Sequence, residues 1–347
     1  MKILHLVPAM EQGGVETVVL GLNRIVVGAG WESVVVSTGG RLVERLVADG
    51  GRHVALDVKS KNPLTYFGRA RQLRRLLKTE NPDLVCVHSR VPAWLFVWAN
   101  RKLGLRWISY AHGANSVSRY SEVMTKGDLV VTPSRFLADY LKANYGTSES
   151  KIRVIPNSVD TERFDPDNLD RSFVALKRRE WGIREGDRVI MAIGRITPVK
   201  GLDALIREVA EMQSRSPGLK LVIVGGADRS HRKYLESLKA LASTLFKDPS
   251  SLIFAGSQEK IPECISIADE IVSANTTKPE TFGLSVIEAY AMNKPVRARR
   301  FGGVAEVMAA VEGAGKATLR EAVLSLYGYD RQAERTLSVY RESLDMV

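Results

Sequence analysis

Apolar residues come in short runs at 2–7, 33–37, 53–56, 84–87, 107–111, 129–131 and 152–155, each the length of a strand covered on both faces. Between several of them lie stretches with helical spacing, at 15–27, 66–78 and 133–145. This βα alternation predicts a parallel sheet wrapped by helices on both faces. The rhythm breaks at 156–171, where two prolines and a crowd of Asn and Asp read as a link between domains. A second βα series follows, with strands at 189–193, 220–224, 251–254 and 270–273. The expected organisation is a first domain over 1–160, a linker over 161–171, a second domain over 172–330 and a final helix over 331–347. No repeat of 20 to 50 residues and no low-complexity tract interrupts it.

Length and composition agree with this division. A chain of 347 residues exceeds one ordinary core, and 45% hydrophobic with 26% charged residues is usual for a globular protein. Two cysteines, Cys86 and Cys264, lie far apart without Cys-x-x-Cys spacing and read as small buried apolar residues of a reducing compartment. The start, Met-Lys-Ile-Leu-His-Leu-Val-Pro, carries too short an apolar run for a signal peptide and reads as a strand. The longest uncharged apolar stretch, 91–100, falls far short of the roughly 20 residues of a spanning helix. A cytoplasmic protein is expected.

The net charge of +11 sits unevenly, since residues 1–167 hold 23 Lys and Arg against 16 Asp and Glu. Arg69, Arg71, Arg74, Arg75 and Lys78 share one stretch with Phe67, Ala70, Leu73, Leu76 and Leu77 at helical spacing. Such a helix could rest on an anionic membrane at its inner face, or be an ordinary solvated face. Nucleic acid is not favoured, because no recognised binding module accompanies the charge.

Three segments carry candidate chemistry. Gln12-Gly13-Gly14-Val15-Glu16 places a glycine pair where a helix opens, without the Gly-x-Gly-x-x-Gly or P-loop pattern. Ile193-Gly194-Arg195-Ile196-Thr197-Pro198-Val199-Lys200-Gly201 sets two cations around a tight strand-to-helix loop, a pair suited to a diphosphate. Pro279-Glu280-Thr281-Phe282-Gly283-Leu284-Ser285-Val286-Ile287-Glu288 puts two carboxylates eight residues apart around one glycine. With a helix starting near Gly283, its first amides form an anion cradle and Glu288 falls in its second turn. Each segment also has a plainer reading as a turn or a solvated surface. In open α/β sheets ligands gather at the carboxyl ends of strands, so a cleft between the two domains is the expected site.

Taken in order, Gly13-Gly14-x-Glu16, His112-Gly113, Gly194-Arg195 with Lys200-Gly201, and Pro279-Glu280-x-Phe282-Gly283 ending at Glu288 resemble the retaining glycosyltransferases of family four. His88-Ser89-Arg90-x-Pro92-Ala93-Trp94 and the segment from Lys151 to Asp165 are similar to the branch acting on lipopolysaccharide core and related surface glycans. The resemblance implies the α/β GT-B fold, with two Rossmann-like domains whose parallel sheets face across a cleft. It implies a hexose moved from a nucleotide diphosphate sugar, UDP-linked, to a bacterial surface glycan or glycolipid, with no cofactor and no metal.

By the same resemblance Arg195 and Lys200 would bind the donor diphosphate, helped by Gly283, Leu284, Ser285 and their neighbour Phe282. Glu288 would hold the ribose, Glu280 the donor sugar, and His112 would lie near the leaving oxygen. Gly13 and Gly14 would close the site, Gly225-Gly226 and Ile261 would border the base, and His88 and Arg90 would meet the acceptor. The catalytic set is therefore His112, Glu280, Arg195 and Lys200. The family is described by a front-face mechanism in which the leaving phosphate takes the acceptor proton. Asp165-Pro166-Asp167, the one Asp-x-Asp, falls in the expected linker and is not read as a metal site. His5, His53 and His231 read as structural.

The chain departs from the pattern at Val199, at Arg297, Arg299 and Arg300, and after Glu306, where a customary Gly-x-Leu-Val-x-Pro segment is absent. Two other readings stand beside the transferase. A nucleotide-sugar epimerase of the same fold would rearrange free donor without acceptor, and a noncatalytic nucleotide-sugar or membrane-binding protein would transfer nothing.

Overall fold

The computed structural model describes residues 1–346 apart from Gln12, Ser214, Pro217 and Thr276, so the first residue of the glycine-pair segment and the last of the expected final helix lie outside the described residues. The chain divides into two compact units, Met1–Ser158 with Tyr329–Val347, and Val159–Gly328.

The first unit is built on seven parallel strands, β1 (Lys2–Leu6), β2 (Glu32–Ser37), β3 (Arg52–Ala55), β4 (Leu84–Val87), β5 (Trp107–Tyr110), β6 (Leu129–Thr132) and β7 (Ile152–Val154). Their order is β3-β2-β1-β4-β5-β6-β7. The second unit holds five, β8 (Arg188–Ile193), β9 (Leu219–Val224), β10 (Leu252–Gly256), β11 (Glu270–Ser273) and β12 (Val296–Ala298), in the order β10-β9-β8-β11-β12. Both sheets are wholly parallel and of Rossmann type. In each, the direction of winding reverses at one place, between β1 and β4 and between β8 and β11. Ligands of such sheets bind beyond the carboxyl ends of the strands at that reversal.

Alternation along the strands supplies two cores per sheet, because successive side chains point to opposite faces. In the second unit Val189, Met191, Val222 and Val224 enter one core, and Ile190, Ala192, Leu221 and Ile223 the other. The first unit does the same on one side with Leu4, Leu6, Val34, Val36, Val85 and Val87. Its opposite side carries His5 and Cys86, paired across β1 and β4. Observed strand ends fall within two residues of the apolar runs. The run-based reading misses β12, since Val-Arg-Ala offers no apolar run and lies only partly buried.

The basic helix differs from its expected form. It spans Pro63–Glu80, opened by Asn62, whose side chain accepts from the Leu64 amide, and closed by Asn81 in the left-handed region at φ 44°. Arg69 is not on a solvated face: it is 6% exposed and bonds Thr65, Asp57 and Asn62. Arg74 is likewise taken up, donating to the carbonyls of Ala99 and Trp98 with its guanidinium 4.5 Å from the Trp98 ring. Phe67, counted with the apolar face, is 56% exposed, and Leu64 beside it is 91% exposed. The stretch 161–171, expected as a linker, belongs to the second unit, where Phe164 and the preceding Val159 are buried in its core. The final helix, Tyr329–Asp345, packs on the helix Gly14–Gly28 within the first unit, where Tyr340 is fully buried. Among the described residues no helix is long and apolar enough to cross a membrane.

Candidate active site

In the second unit an open depression of about 280 Å³ lies at the carboxyl ends of β8, β9 and β11, the place where the sheet's winding reverses. Gly194, Arg195, Lys200, Ser273 and Asn275 line it. Asn275 is 5% exposed, and its Oδ1 finds no hydrogen-bond partner among the described residues. A buried acceptor in that state is stabilised by whatever donor fills the depression. No sequence motif marks Asn275.

The floor is two glycine turns pressed together. Gly194 (φ 139°) and Gly225 (φ 153°) both occupy backbone regions closed to larger residues. A Cβ on Gly225 would lie 1.8 Å from the Gly194 carbonyl oxygen. The turns are stitched by Gly194 N–H to Val224 O at 2.9 Å and Ile196 N–H to Gly226 O at 2.9 Å. Gly225 is thus required for packing the loop that carries Arg195 and Lys200. Arg195 is exposed, while Lys200 folds back over Gly194, which brings it against the carboxylate of Glu280 in an ion pair. Both side chains are largely covered, at 29% and 16% exposure. The cation expected at the diphosphate and the carboxylate expected at the sugar therefore neutralise one another.

The helix expected near Gly283 spans Leu284–Ala291, with Gly283 as its left-handed N-cap at φ 97°. Val286 and Ile287 donate to the Gly283 carbonyl, so the amides of Leu284 and Ser285 precede the helical ladder and are the ones an anion would meet. The loop before it is held from beneath by Gly303, whose amide donates to Glu280 O at 2.8 Å, in contact too close for a side chain at Gly302 or Gly303. Those glycines position Glu280.

Phe282, expected among the donor-binding residues, is a core anchor instead: it is 4% exposed and meets Tyr327 edge-on at 5.5 Å. Ile261 begins the helix Ile261–Ile267 and packs partly buried against the same core. Glu288, in the second turn, sits in dense surroundings although some of the residue reaches solvent. Loss of hydration pushes its carboxyl up to about 7, against a smaller lowering by the Arg163 guanidinium. Arg163 is a neighbour that sequence reading did not single out. Arg297 is committed to Glu270 and Glu208, and Arg300 to Glu312, so neither adds uncompensated positive charge. Asp165 pairs with Arg320 at 3.1 Å and accepts from the Asp167 amide, a structural use of the Asp-x-Asp segment.

In the first unit three histidines, His5, His88 and His112, come together at the β1–β4 reversal. His5 Nδ1 lies 3.0 Å from His88 Nε2, and His88 Nδ1 lies 3.0 Å from His112 Nε2. His88 stacks on Tyr110 at 4.8 Å and on His112 at 5.3 Å. This corrects the reading of His88 as an acceptor contact. His88 is 3% exposed with both ring nitrogens engaged inside the protein, which leaves no polar atom for an acceptor. His5, read as structural, is fully buried in β1 and anchors the row. Burial lowers His5 to about 3 and His112 to about 4, and burial together with the neighbouring His112 and His5 holds His88 well below the usual imidazole value. All three rings are neutral at pH 7. Arg90, expected at the acceptor, donates to Ser121 Oγ at 3.0 Å with its guanidinium over Tyr120. Gly13 caps the helix Gly14–Gly28 in extended conformation, with the Glu16 side chain folded against it.

The geometry is that of two ligand-ready sheet ends, one with cations, a carboxylate and a helix start, the other with a neutral imidazole row. Residues 12–163 match the family model described as Glycosyltransferase Family 4, and 174–316 match that of Glycosyl transferases group 1. The D-inositol 3-phosphate glycosyltransferase of Acidothermus cellulolyticus is 34% identical over 190 residues, 53% of this chain and 41% of that protein. The GDP-mannose-dependent alpha-(1-6)-phosphatidylinositol monomannoside mannosyltransferase of Mycolicibacterium smegmatis is 30% identical over 255 residues, 69% of this chain and 64% of that one. The matches thus span less than two thirds of these relatives. Among solved structures, a glycosyltransferase from Rickettsia africae superposes with a TM-score of 0.85 at 25% identity, covering 100% and 99% of the two chains. Alr3699/HepE of Anabaena, crystallised with UDP-glucose, gives 0.81 at 18% identity over 99% and 100%. With two family models matched in sequence order over most of its length, and both sheets folded as that family requires, the chain belongs to the family 4 glycosyltransferases of GT-B fold.

Proposed function

We propose that the protein transfers a hexose from a UDP-linked sugar to a hydroxyl of a bacterial surface glycan or glycolipid, with retention at the anomeric carbon and without a metal ion. The observation that carries this reading is the second unit's depression, which Arg195 and Lys200 line, with Lys200 paired to Glu280 on the segment that leads from β11 to the helix Leu284–Ala291. A diphosphate entering it meets Lys200, Arg195 and the amides of Leu284 and Ser285. A sugar hydroxyl would then take the place of Lys200 at Glu280, and the ribose hydroxyls would bond to Glu288. As the bond from C1 to phosphate breaks and the bond from C1 to the acceptor oxygen forms, the acceptor proton passes to the departing phosphate. The cations and amides stabilise the charge left there.

A lipid-borne acceptor is supported by the phosphatidylinositol-based substrate in the mycobacterial relative's name. It agrees with the helix Pro63–Glu80, which presents Leu64, Phe67, Arg71, Arg75 and Lys78 at three- and four-residue spacing, all exposed. Apolar tips followed by cations suit an anionic membrane surface. The same relative's name raises GDP-mannose as the second donor to test. Thermal-shift and calorimetric titration with UDP, UDP-glucose, UDP-galactose and GDP-mannose decide the donor. Turnover with a lipid-linked oligosaccharide extract follows, and product anomer analysis decides retention. Binding of GDP-mannose alone would overturn the UDP reading. Rearranged or hydrolysed donor with no acceptor dependence would replace the transferase by an epimerase or hydrolase.

A further inference from the structure

Asn275 lines the same depression as Arg195 and Lys200, yet binding of a nucleotide sugar by those cations and by Glu280 gives it no part. Its side chain is 5% exposed, and Oδ1 accepts no hydrogen bond among the described residues. A buried acceptor is rarely left so in a folded protein. The arrangement therefore calls for a donor that reaches Oδ1 in another state of the site.

Arg195 and Lys200 are the charged side chains that line the depression, and Lys200 is the one folded into it. β11 runs beside β8 with Glu270 opposite Ile190 and Ile271 opposite Met191. Continued at that register, Ala274 falls beside Gly194 and Asn275 beside Arg195, one strand spacing of about 4.8 Å away. Lys200 Nζ lies 3.5 Å from the point where a Cβ on Gly194 would stand. The ammonium is thus held over the strand end next to Asn275, and its flexible four-carbon stem lets it turn without moving the backbone. It is committed to Glu280 instead, because a carboxylate binds an ammonium more strongly than a neutral amide oxygen does. The two seats differ in consequence. At Glu280 the charge of Lys200 is cancelled, whereas at Asn275 one hydrogen bond would fix its direction and leave the charge for an anion.

We propose that Asn275 is a positioning residue for Lys200: once a ligand draws the ammonium away from Glu280, Asn275 Oδ1 accepts one of its hydrogens and holds it with its charge free for the diphosphate. An ammonium has three N–H donors, so this bond leaves two for phosphate oxygens. Asn275 touches Lys200 and acts through it. The ligand half of this inference rests on the transferase reading, while the two seats of Lys200 belong to the second unit alone.

The test uses the full chain and double-mutant cycles, first by melting without any ligand. Glu280→Ala removes the first seat, so Lys200 turns to the second. Asn275→Ala should then lower the melting temperature by about 2–4 °C in the Glu280→Ala background, and should lower it neither in the wild type nor where Lys200→Met is also present. The second arm is calorimetric titration with UDP and with GDP. Asn275→Ala should weaken the nucleoside diphosphate that binds by about five- to tenfold, as for one lost hydrogen bond to a charged group, and should change nothing in a Lys200→Met background. Should Asn275→Ala fail to fold, Asn275→Asp keeps the shape of the side chain and serves in its place. Its carboxylate should stabilise the Glu280→Ala protein only while Lys200 is present. Effects at 275 that are the same with and without Lys200, in melting or in titration, overturn the proposal. Binding of neither UDP nor GDP by the wild type would strike the transferase reading and leave the two seats to be decided by the melting curves. Additive melting curves in a protein that binds UDP would do the reverse.

Discussion

Replacing Glu288 with Gln should make the second unit less sensitive to pH, and the effect can be sized from the structure. Burial raises the Glu288 carboxyl from its ordinary 4.5 to about 7. Between those values the folded state binds a proton that the unfolded state has released, so stability falls as pH rises through the window from 4.5 to 7 and stays lower above it. At about 1.4 kcal/mol per unit of pH, the full difference is about 3 kcal/mol. Residual solvent access at Glu288 reduces the expected effect to about 2 kcal/mol. Gln is an uncharged near-isostere of the protonated acid, so Glu288→Gln should match the wild type at pH 5 and exceed it by about 2 kcal/mol at pH 8. The assay is urea denaturation at both pH values, with hydrogen exchange of the β11 and Leu284–Ala291 amides to report the second unit by itself. Wild type and variant differing equally at pH 5 and pH 8 would refute the reasoning, because the carboxyl would then ionise as it does in water. In the ligand-bound protein the advantage of Gln should vanish, since the ribose hydroxyls that solvate the carboxylate are the reason for keeping it.

Lys200→Ala should weaken UDP binding by about 1.5–3 kcal/mol, as for a lost charge-assisted hydrogen bond, and unchanged calorimetric affinity would remove Lys200 from the site. Glu280→Gln frees Lys200 from its partner, so UDP should bind as well or better while the complete sugar nucleotide binds worse; equal losses for both would contradict a sugar-specific role. Gly225→Ala should destabilise the second unit by about 3 kcal/mol or more, given backbone strain and contact with Gly194 O, and a melting temperature within a degree of wild type would dismiss the close contact. Leu64→Glu with Phe67→Glu should abolish co-flotation with vesicles containing anionic phosphatidylglycerol without altering UDP affinity, and retained flotation would discard that helix as the contact.

The sequence by itself determined what depends on local period and local backbone. Runs of Val, Ile and Leu set nearly every strand, and glycines at 194 and 283 marked a tight turn and a helix start, because only neighbouring residues are needed to impose those conformations. The segments holding Lys200, Glu280 and Glu288 were legible for the same reason. Tertiary structure decided which side chains meet. Lys200 and Glu280 are 80 residues apart and pair only because β8 and β11 are neighbours. His5 lies in β1 while His88 and His112 follow β4 and β5, and the three become one row through parallel register, which no spacing along the chain encodes. Helical period told the faces of Pro63–Glu80 apart but not which would be covered: packing against the helix Arg90–Asn100 absorbed Arg74, and loop carbonyls absorbed Arg69. A buried guanidinium and an exposed Phe67 are set by the neighbours available in space, and those are chosen by the fold as a whole.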